Sequence, residues 1–286
     1  MTSRLRTTLE MIKWEHSIFA LPFALTGAML AARGFPRWSV LFWIVVCMVT
    51  ARSAAMAFNR WADAEIDRLN PRTAMRAIPA GLLSPRFTAG FTIVTAALFV
   101  LAAGRLNRLT LALSPVALIV IFAYSYAKRF TRWSHLVLGL ALGIAPSAAW
   151  IAVRGSLDPR ILVLTSAVLF WVAGFDVLYA CQDYEHDLRV GLHSVPQSFG
   201  LNAAFWIARL MHLCMLGLLI WLTILFSLGR ISEIGILLVA VMLLYEHTLV
   251  SPNDLRRMNA AFFTINGVIS FVFFAAVALD LLHLRA

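Results

Sequence analysis

The sequence predicts an all-α, polytopic membrane protein, a nine-transmembrane-helix bundle, and three observations predict it. Apolar residues make up 61% of the 286-residue chain and charged residues only 13%, with a mean hydropathy of +0.83. A water-soluble chain carries about a quarter charged residues. This one has too little polar surface to cover a globule, so lipid must solvate much of it. The apolar residues are gathered into segments of roughly 20, the length that crosses about 30 Å of hydrocarbon. No alternating ten-residue pattern is present, and backbone in lipid must satisfy its own hydrogen bonds, so helices are predicted rather than a barrel.

The spans, in order, are approximately residues 17–33, 38–58, 87–103, 108–126, 134–153, 160–181, 203–228, 231–250 and 260–282. The first follows Arg4, Arg6 and Lys13 and so imitates a secretory signal. Glu15 and His16 stand where its apolar run begins, and many spans follow, so it is assigned as the first transmembrane helix. The second runs into a loop holding Arg60, Arg68, Arg72, Arg76 and Arg86, and the fourth into Lys128, Arg129 and Arg132. The sixth is followed by Arg189 and the eighth by Arg256 and Arg257. With the N-terminal segment, these loops hold fourteen cations. The opposite side holds eight: Arg33, Arg37, Arg105, Arg108, Arg154, Arg160, Arg230 and Arg285. The positive-inside rule therefore makes the first side cytoplasmic. No linker or low-complexity stretch divides residues 1–286, which read as a single domain.

The net charge of +10 is explained by this topology. Nucleic-acid binding would need a basic face on a soluble body, which the composition excludes. Cys47, Cys181 and Cys214 lie in or beside apolar stretches without metal-like spacing, so they are read as packing residues.

The acids carry the chemistry. Of fourteen, seven fall in two short windows: Asp63, Glu65 and Asp67, then Asp176, Asp183, Glu185 and Asp187. Both windows follow even-numbered spans and share one side. A carboxylate at membrane depth costs a few kcal/mol unless paired or solvated, which marks a functional site. Asn59, Asp63 and Asp67 step by four and form one stripe if the second helix continues past the lipid. Asp183 and Asp187 repeat the step, and Asp176 and Tyr179 keep the same face. Like charges one turn apart call for a cation between them, and hard oxygen ligands without His or Cys suit Mg²⁺. Arg72, Arg76, Lys128 and Arg129 lie beside the acids, after Tyr124, and a guanidinium fork matches a phosphate. Together these residues would cradle a diphosphate.

Two motifs carry a family resemblance. The first is Asn59-Arg60-Trp61-Ala62-Asp63-Ala64-Glu65-Ile66-Asp67, continuing into Asn70-Pro71-Arg72-Thr73. The second is Asp176-Val177-Leu178-Tyr179-Ala180-Cys181-Gln182-Asp183-Tyr184-Glu185-His186-Asp187. At these residues the chain resembles the UbiA superfamily of membrane prenyltransferases. Lys13-Trp14-Glu15-His16-Ser17, Gly191-Leu192-His193-Ser194-Val195-Pro196 and Phe262-Phe263-Thr264-Ile265-Asn266-Gly267 extend the likeness from the first helix to the last. The resemblance implies a nine-helix bundle around a central cavity open towards lipid. It implies that Asn59, Asp63 and Asp67 hold one Mg²⁺ and Asp183 and Asp187 a second. Arg72, Arg76, Lys128 and Tyr124 would contact the diphosphate, and Arg52 would hold the acceptor's carboxylate. Arg60 departs from the Asp that many members carry and points to a subgroup. The second motif resembles the 4-hydroxybenzoate polyprenyltransferase-like branch, part of which serves the futalosine route to menaquinone and prenylates a dihydroxynaphthoate.

The expected reaction is Mg²⁺-dependent transfer of a polyprenyl group from its diphosphate to the ring of an aromatic acid, in ubiquinone or menaquinone biosynthesis. A bacterial inner membrane with the site facing the cytoplasm is the expected setting. Ionisation of the diphosphate leaves an allylic cation among apolar and aromatic walls, and the electron-rich ring attacks it. The sequence leaves open whether Asp183 or Asp187 accepts the proton. The rival class is a proton- or cation-coupled transporter, which would place acids near mid-span. Among the other polar residues, Glu15 with His16 reads as a rim pair, and His135, His212, His247 and His283 read as interfacial. Asn266 and Ser270 read as interhelical hydrogen-bond partners.

Overall fold

The computed structural model describes residues 4–13 and 20–283, with residues 260–262 described by their backbone alone. Among the described residues the regular structure is helical. The elements are α1 (Arg4–Ile12), α2 (Ala20–Ala32), α3 (Trp38–Ala62), α4 (Ala64–Leu69), α5 (Pro85–Gly104) and α6 (Arg108–Phe130). They continue as α7 (Ser134–Arg154), α8 (Ile161–Ala180), α9 (Tyr184–Val190), α10 (Val195–Phe226), α11 (Arg230–Leu249) and α12 (Asn266–His283). A short 3₁₀ turn at Cys181–Asp183 and a π-turn at Ala260–Ile265 interrupt the last motif and the last span. Among the described residues eight helices are long and apolar enough to cross a membrane, and the shorter α2 is also apolar. This is an integral, multi-pass membrane protein. Residues 17–19 of the first predicted span, and the Glu15–His16 pair, lie outside the described residues.

The predicted boundaries shift where capping and strain decide them. The seventh span was expected from residue 203, yet α10 begins at Val195, where the Ser194 hydroxyl accepts the Gln197 N–H and Pro196 occupies the first turn. The helix bends at Gly200, whose φ of 81° suits a residue without a Cβ. The second span extends to Ala62 and the fourth to Phe130, carrying their polar ends beyond the apolar run. The amphipathic α1 buries Met11 and Ile12 against Ala57 and Leu83.

At the centre lies α8, buried along nearly its whole length and flanked by α7 and α10. Small residues allow this approach, as they do between helices in lipid. A Cβ on Gly139 would meet the Leu169 carbonyl well inside contact distance, and one on Gly143 would lie 2.8 Å from the Thr165 carbonyl. Gly139→Ala should therefore force α7 from α8 and cost about 1–3 kcal/mol. The check is the thermal unfolding midpoint in detergent, and a variant as stable as the native protein would contradict this packing.

The core joins α2, α8 and α12 through Phe23, Trp171 and Phe273. The Phe23 ring lies 4.9 Å from Trp171 and 5.5 Å from Phe273. One polar chain crosses it. The Trp171 indole donates to Asn266 Oδ1 at 2.7 Å, and the Asn266 amide donates to Glu246 at 3.1 Å. Asn266 is thus the interhelical partner expected of it. His135 and His212, expected at the interface, are buried at 0% and 3% exposure instead. His212 hydrogen-bonds His247 at 3.0 Å, and His135 is bonded at the candidate site below.

Candidate active site

Each acidic motif sits where a long helix ends, and both end in the same way. Asp63 has φ −97° and ψ 7°, and Asp183 has φ −99° and ψ 5°. This sparsely populated bridge conformation interrupts each helix, which restarts as α4 or α9. The stripes expected to be straight are therefore broken at their middle acid. Each restarted helix closes on the backbone carbonyl of its last acid residue. Asn70 donates to the Asp67 carbonyl at 3.3 Å, and Gly191 to the Asp187 carbonyl at 3.0 Å.

The two motifs face one cavity of about 800 Å³, lined by residues of α1, α3, α4, α6, α7, α8 and α9 and the loop after α4. Every site residue predicted from the sequence lines it: Arg52, Asn59, Asp63, Asp67, Arg72, Arg76, Tyr124, Lys128, Asp176, Tyr179, Asp183 and Asp187. Glu65 and Glu185, from the same windows, are exposed, and Glu65 pairs with Arg68 at 3.4 Å.

Three arginines each meet one acid. Arg72 grips Asp183 with Nε at 2.8 Å and Nη2 at 2.5 Å, and its Nη1 reaches the Tyr179 hydroxyl at 3.2 Å. Arg76 holds Asp67 at 2.6 Å, and Arg129 reaches Asp63 at 3.3 Å and the Ala62 carbonyl at 2.7 Å. The Arg72 fork links the loop of the first motif to the second. Asn70-Pro71-Arg72 builds it: the Asn70 amide oxygen accepts the Arg72 N–H at 3.0 Å while its nitrogen donates to Asp183 at 3.0 Å. Such an Asx turn before a fixed proline aims the guanidinium. Burial works to lower the Arg72 guanidinium, and the Asp183 hydrogen bonds and charge overcome it, leaving its pKa raised. Burial pushes the Asp63 carboxyl above its ordinary range, the Asp67 charge adds to this, and the Arg129 hydrogen bond opposes it.

The donor set bears on the implied Mg²⁺. Among the described residues no three His, Cys, Asp or Glu side chains converge closely enough to form a metal cage. Asp67 Oδ2 is nevertheless buried without a hydrogen-bond partner, and the acids offer only hard oxygen. That fits Mg²⁺, which takes one or two carboxylates and completes its shell with water and phosphate oxygens. Four cations in the cavity have no acid partner among the described residues: Lys13, Arg52, Arg60 and Lys128. The Arg52 Nε is buried and unpartnered, and Arg60 makes only a 3.4 Å contact to the Asn59 amide oxygen.

Sequence reasoning missed four contributors. Asn70 orients Arg72 and Asp183 as described. Ser194 donates to Asp187 at 3.0 Å. Arg60 lines the cavity as an additional cation. His135 Nδ1 lies 2.7 Å from Asp176 Oδ2. The Asn-Pro-Arg run signalled the first; for His135 the available signal was a polar residue one position inside an apolar helix.

Comparison with known proteins gives concordant findings. The UbiA prenyltransferase family matches residues 20–275. A 4-hydroxybenzoate octaprenyltransferase of Aliivibrio salmonicida (strain LFI1238) is 32% identical over 263 residues, 92% of this chain and 92% of that protein. The apo structure of a UbiA homolog from Aeropyrum pernix K1 aligns with a TM-score of 0.85 at 32% identity, covering 93% of this chain and 98% of that one. A UbiA homolog from Archaeoglobus fulgidus, solved bound to DMAPP and Mg²⁺, shares the fold at a TM-score of 0.76 and 20% identity, covering 96% and 99%.

Proposed function

This chain belongs to the UbiA prenyltransferase family, and from that premise we propose that it transfers a polyprenyl group from polyprenyl diphosphate to the ring of an aromatic acid. The acceptor is 4-hydroxybenzoate or a close analogue, and the product belongs to quinone biosynthesis. The observation that carries this reading is the ring of carboxylates from two motifs, interleaved with arginines, at one cavity. The excess of cations on the motif side supports a mouth facing the cytoplasm of a bacterial inner membrane.

The roles follow from the chemistry of each side chain. Arg72, Arg76 and Lys128, with Tyr124, bind the diphosphate oxygens. Asn59, Asp63 and Asp67 would hold one Mg²⁺ and Asp183 and Asp187 another; when bound, the ions neutralise charge developing on the leaving diphosphate. The guanidiniums now on Asp67 and Asp183 are then available to the phosphate. Phe175, Val172, Leu138 and Phe263 wall the cavity, offer no nucleophile and exclude water from an allylic cation. The polyprenyl tail continues into lipid between helices.

Arg52 is assigned to the acceptor carboxylate because it lines the cavity without an acid partner among the described residues, with its Nε buried and unpartnered. Arg52→Ala should raise the KM for the aromatic acid about 10- to 100-fold, the worth of a charge-assisted hydrogen bond. Diphosphate release without acceptor should be unaffected. Equal losses in both measurements would refute the assignment. A second acceptor reading, 1,4-dihydroxy-6-naphthoate of the futalosine menaquinone route, is supported by the likeness of the second motif, Asp176 to Asp187 with Gly191-Leu192-His193-Ser194, to a branch that includes such members. Competition between the two acids, with products read by mass spectrometry, decides between them. A preference for the naphthoate assigns the menaquinone route, and use of neither overturns the aromatic-acid reading.

A further inference from the structure

We propose that Asp176 is the catalytic residue that takes the hydroxyl proton of the aromatic acceptor, and that His135 is the positioning residue that holds Asp176 ready to do so. The inference rests on the aromatic-acceptor reading above and adds the base to it.

Asp183 and Asp187 are already engaged. Asp183 accepts two hydrogen bonds from Arg72 and one from Asn70, and Asp187, buried to 1% exposure, accepts from Ser194. Asp63 and Asp67 carry Arg129 and Arg76. Among the described residues, Asp176 and Asp187 are the cavity-lining motif carboxylates with no arginine or lysine on them, and Asp187 is held by Ser194. Asp176 stands seven residues before Asp183, about 10 Å deeper along α8, on the apolar side of the diphosphate set. Its Oδ2 meets His135, while its Oδ1 has no partner among the described residues, and the residue lines the cavity.

The His135 tautomer is determined by its other neighbour. The Val195 N–H, in the first turn of α10, donates to His135 Nε2 at 3.3 Å. Nε2 is therefore an acceptor, and the proton of the neutral ring lies on Nδ1, directed at Asp176 Oδ2 at 2.7 Å. The imidazole is fully buried and cannot turn without stranding Val195. It acts as the orienting partner of a base, fixing Oδ2 and leaving Oδ1 to the cavity. The same corner serves both acids, because Ser194 holds Asp187 and Val195 holds His135.

The C–O bond of the prenyl diphosphate breaks, and diphosphate leaves with its electron pair. A ring carbon ortho to the hydroxyl forms the new C–C bond with the allylic cation while the O–H proton passes to Asp176 Oδ1. The resulting dienone loses its ring proton to water and regains its hydroxyl proton from Asp176, which restores the carboxylate.

The test uses purified full-length protein with a prenyl diphosphate, Mg²⁺ and a series of ring-fluorinated 4-hydroxybenzoates of increasing phenol acidity. An acceptor that is already ionised needs no base. Asp176→Asn and His135→Ala should lose about 10²- to 10³-fold with the parent acid, and the loss should shrink to about 10-fold or less with the most acidic. His135→Asn, whose amide N–H can replace Nδ1–H, should recover most of the activity. A penalty equal across the series, with or without a lowered unfolding midpoint, would mean a structural role and overturn the proposal, as would unimpaired variants. Native protein that prenylates none of these acids would overturn the acceptor reading itself, and this assignment with it.

Discussion

Asp183→Ala lowers the rate of prenylated product formation by about 10³-fold or more at saturating Mg²⁺, the scale on which removing one preorganised transition-state contact acts. The reason is geometric. Asp183 is the point where the two halves of the site meet, accepting the Arg72 fork and the Asn70 amide from the loop after α4 while belonging to α8's continuation. Alanine removes an acid from the second motif and leaves a guanidinium and an amide without partners at the cavity wall. Asp183→Asn keeps the volume and one of the two hydrogen bonds from Arg72 but not the charge, so it separates electrostatics from packing. Both variants should lose activity while only alanine lowers the unfolding midpoint. Activity within about tenfold of native for the asparagine variant would show that the charge of Asp183 is not used.

Arg72→Lys gives the second large effect, a loss of about 10²-fold in kcat/KM for the prenyl diphosphate. The guanidinium places three nitrogens at once, two on Asp183 and one on the Tyr179 hydroxyl. A lysine ammonium is a compact point charge and cannot reproduce a planar fork. The charge is conserved, so the loss measures geometry alone. The measurement is initial-rate kinetics with prenyl diphosphate varied at fixed acceptor. Unchanged kcat/KM would mean that Arg72 supplies only charge, and that its link between the motifs is incidental.

Much of this fold was legible because lipid leaves few alternatives. Segments of about 20 apolar residues have one available form, and 87–103 and 134–153 become α5 and α7 within two residues at each end. The site was legible for the complementary reason. Carboxylates are rare in such a chain, fourteen in all, so Asp63 and Asp183 stood out by composition, and Arg72 by lying beside them. What the sequence hid depends on tertiary neighbours. A lone histidine at the start of an apolar run reads as interfacial, and nothing local shows that His135 faces Asp176, 41 residues away, and the α10 N-terminus. The breaks at Asp63 and Asp183 were equally hidden, since four-residue spacing describes a continuous helix as well as a bent one. The early start of α10 depended on Ser194 as a cap and Gly200 as a bend.

The most direct test of the central claim is diphosphate release and ring prenylation measured together, using purified protein, a prenyl diphosphate and 4-hydroxybenzoate, with Mg²⁺ or with chelator. Equal amounts of free diphosphate and prenylated acid are expected with Mg²⁺, and neither with chelator. Absence of both products with Mg²⁺ across a broad panel of aromatic acids would contradict it.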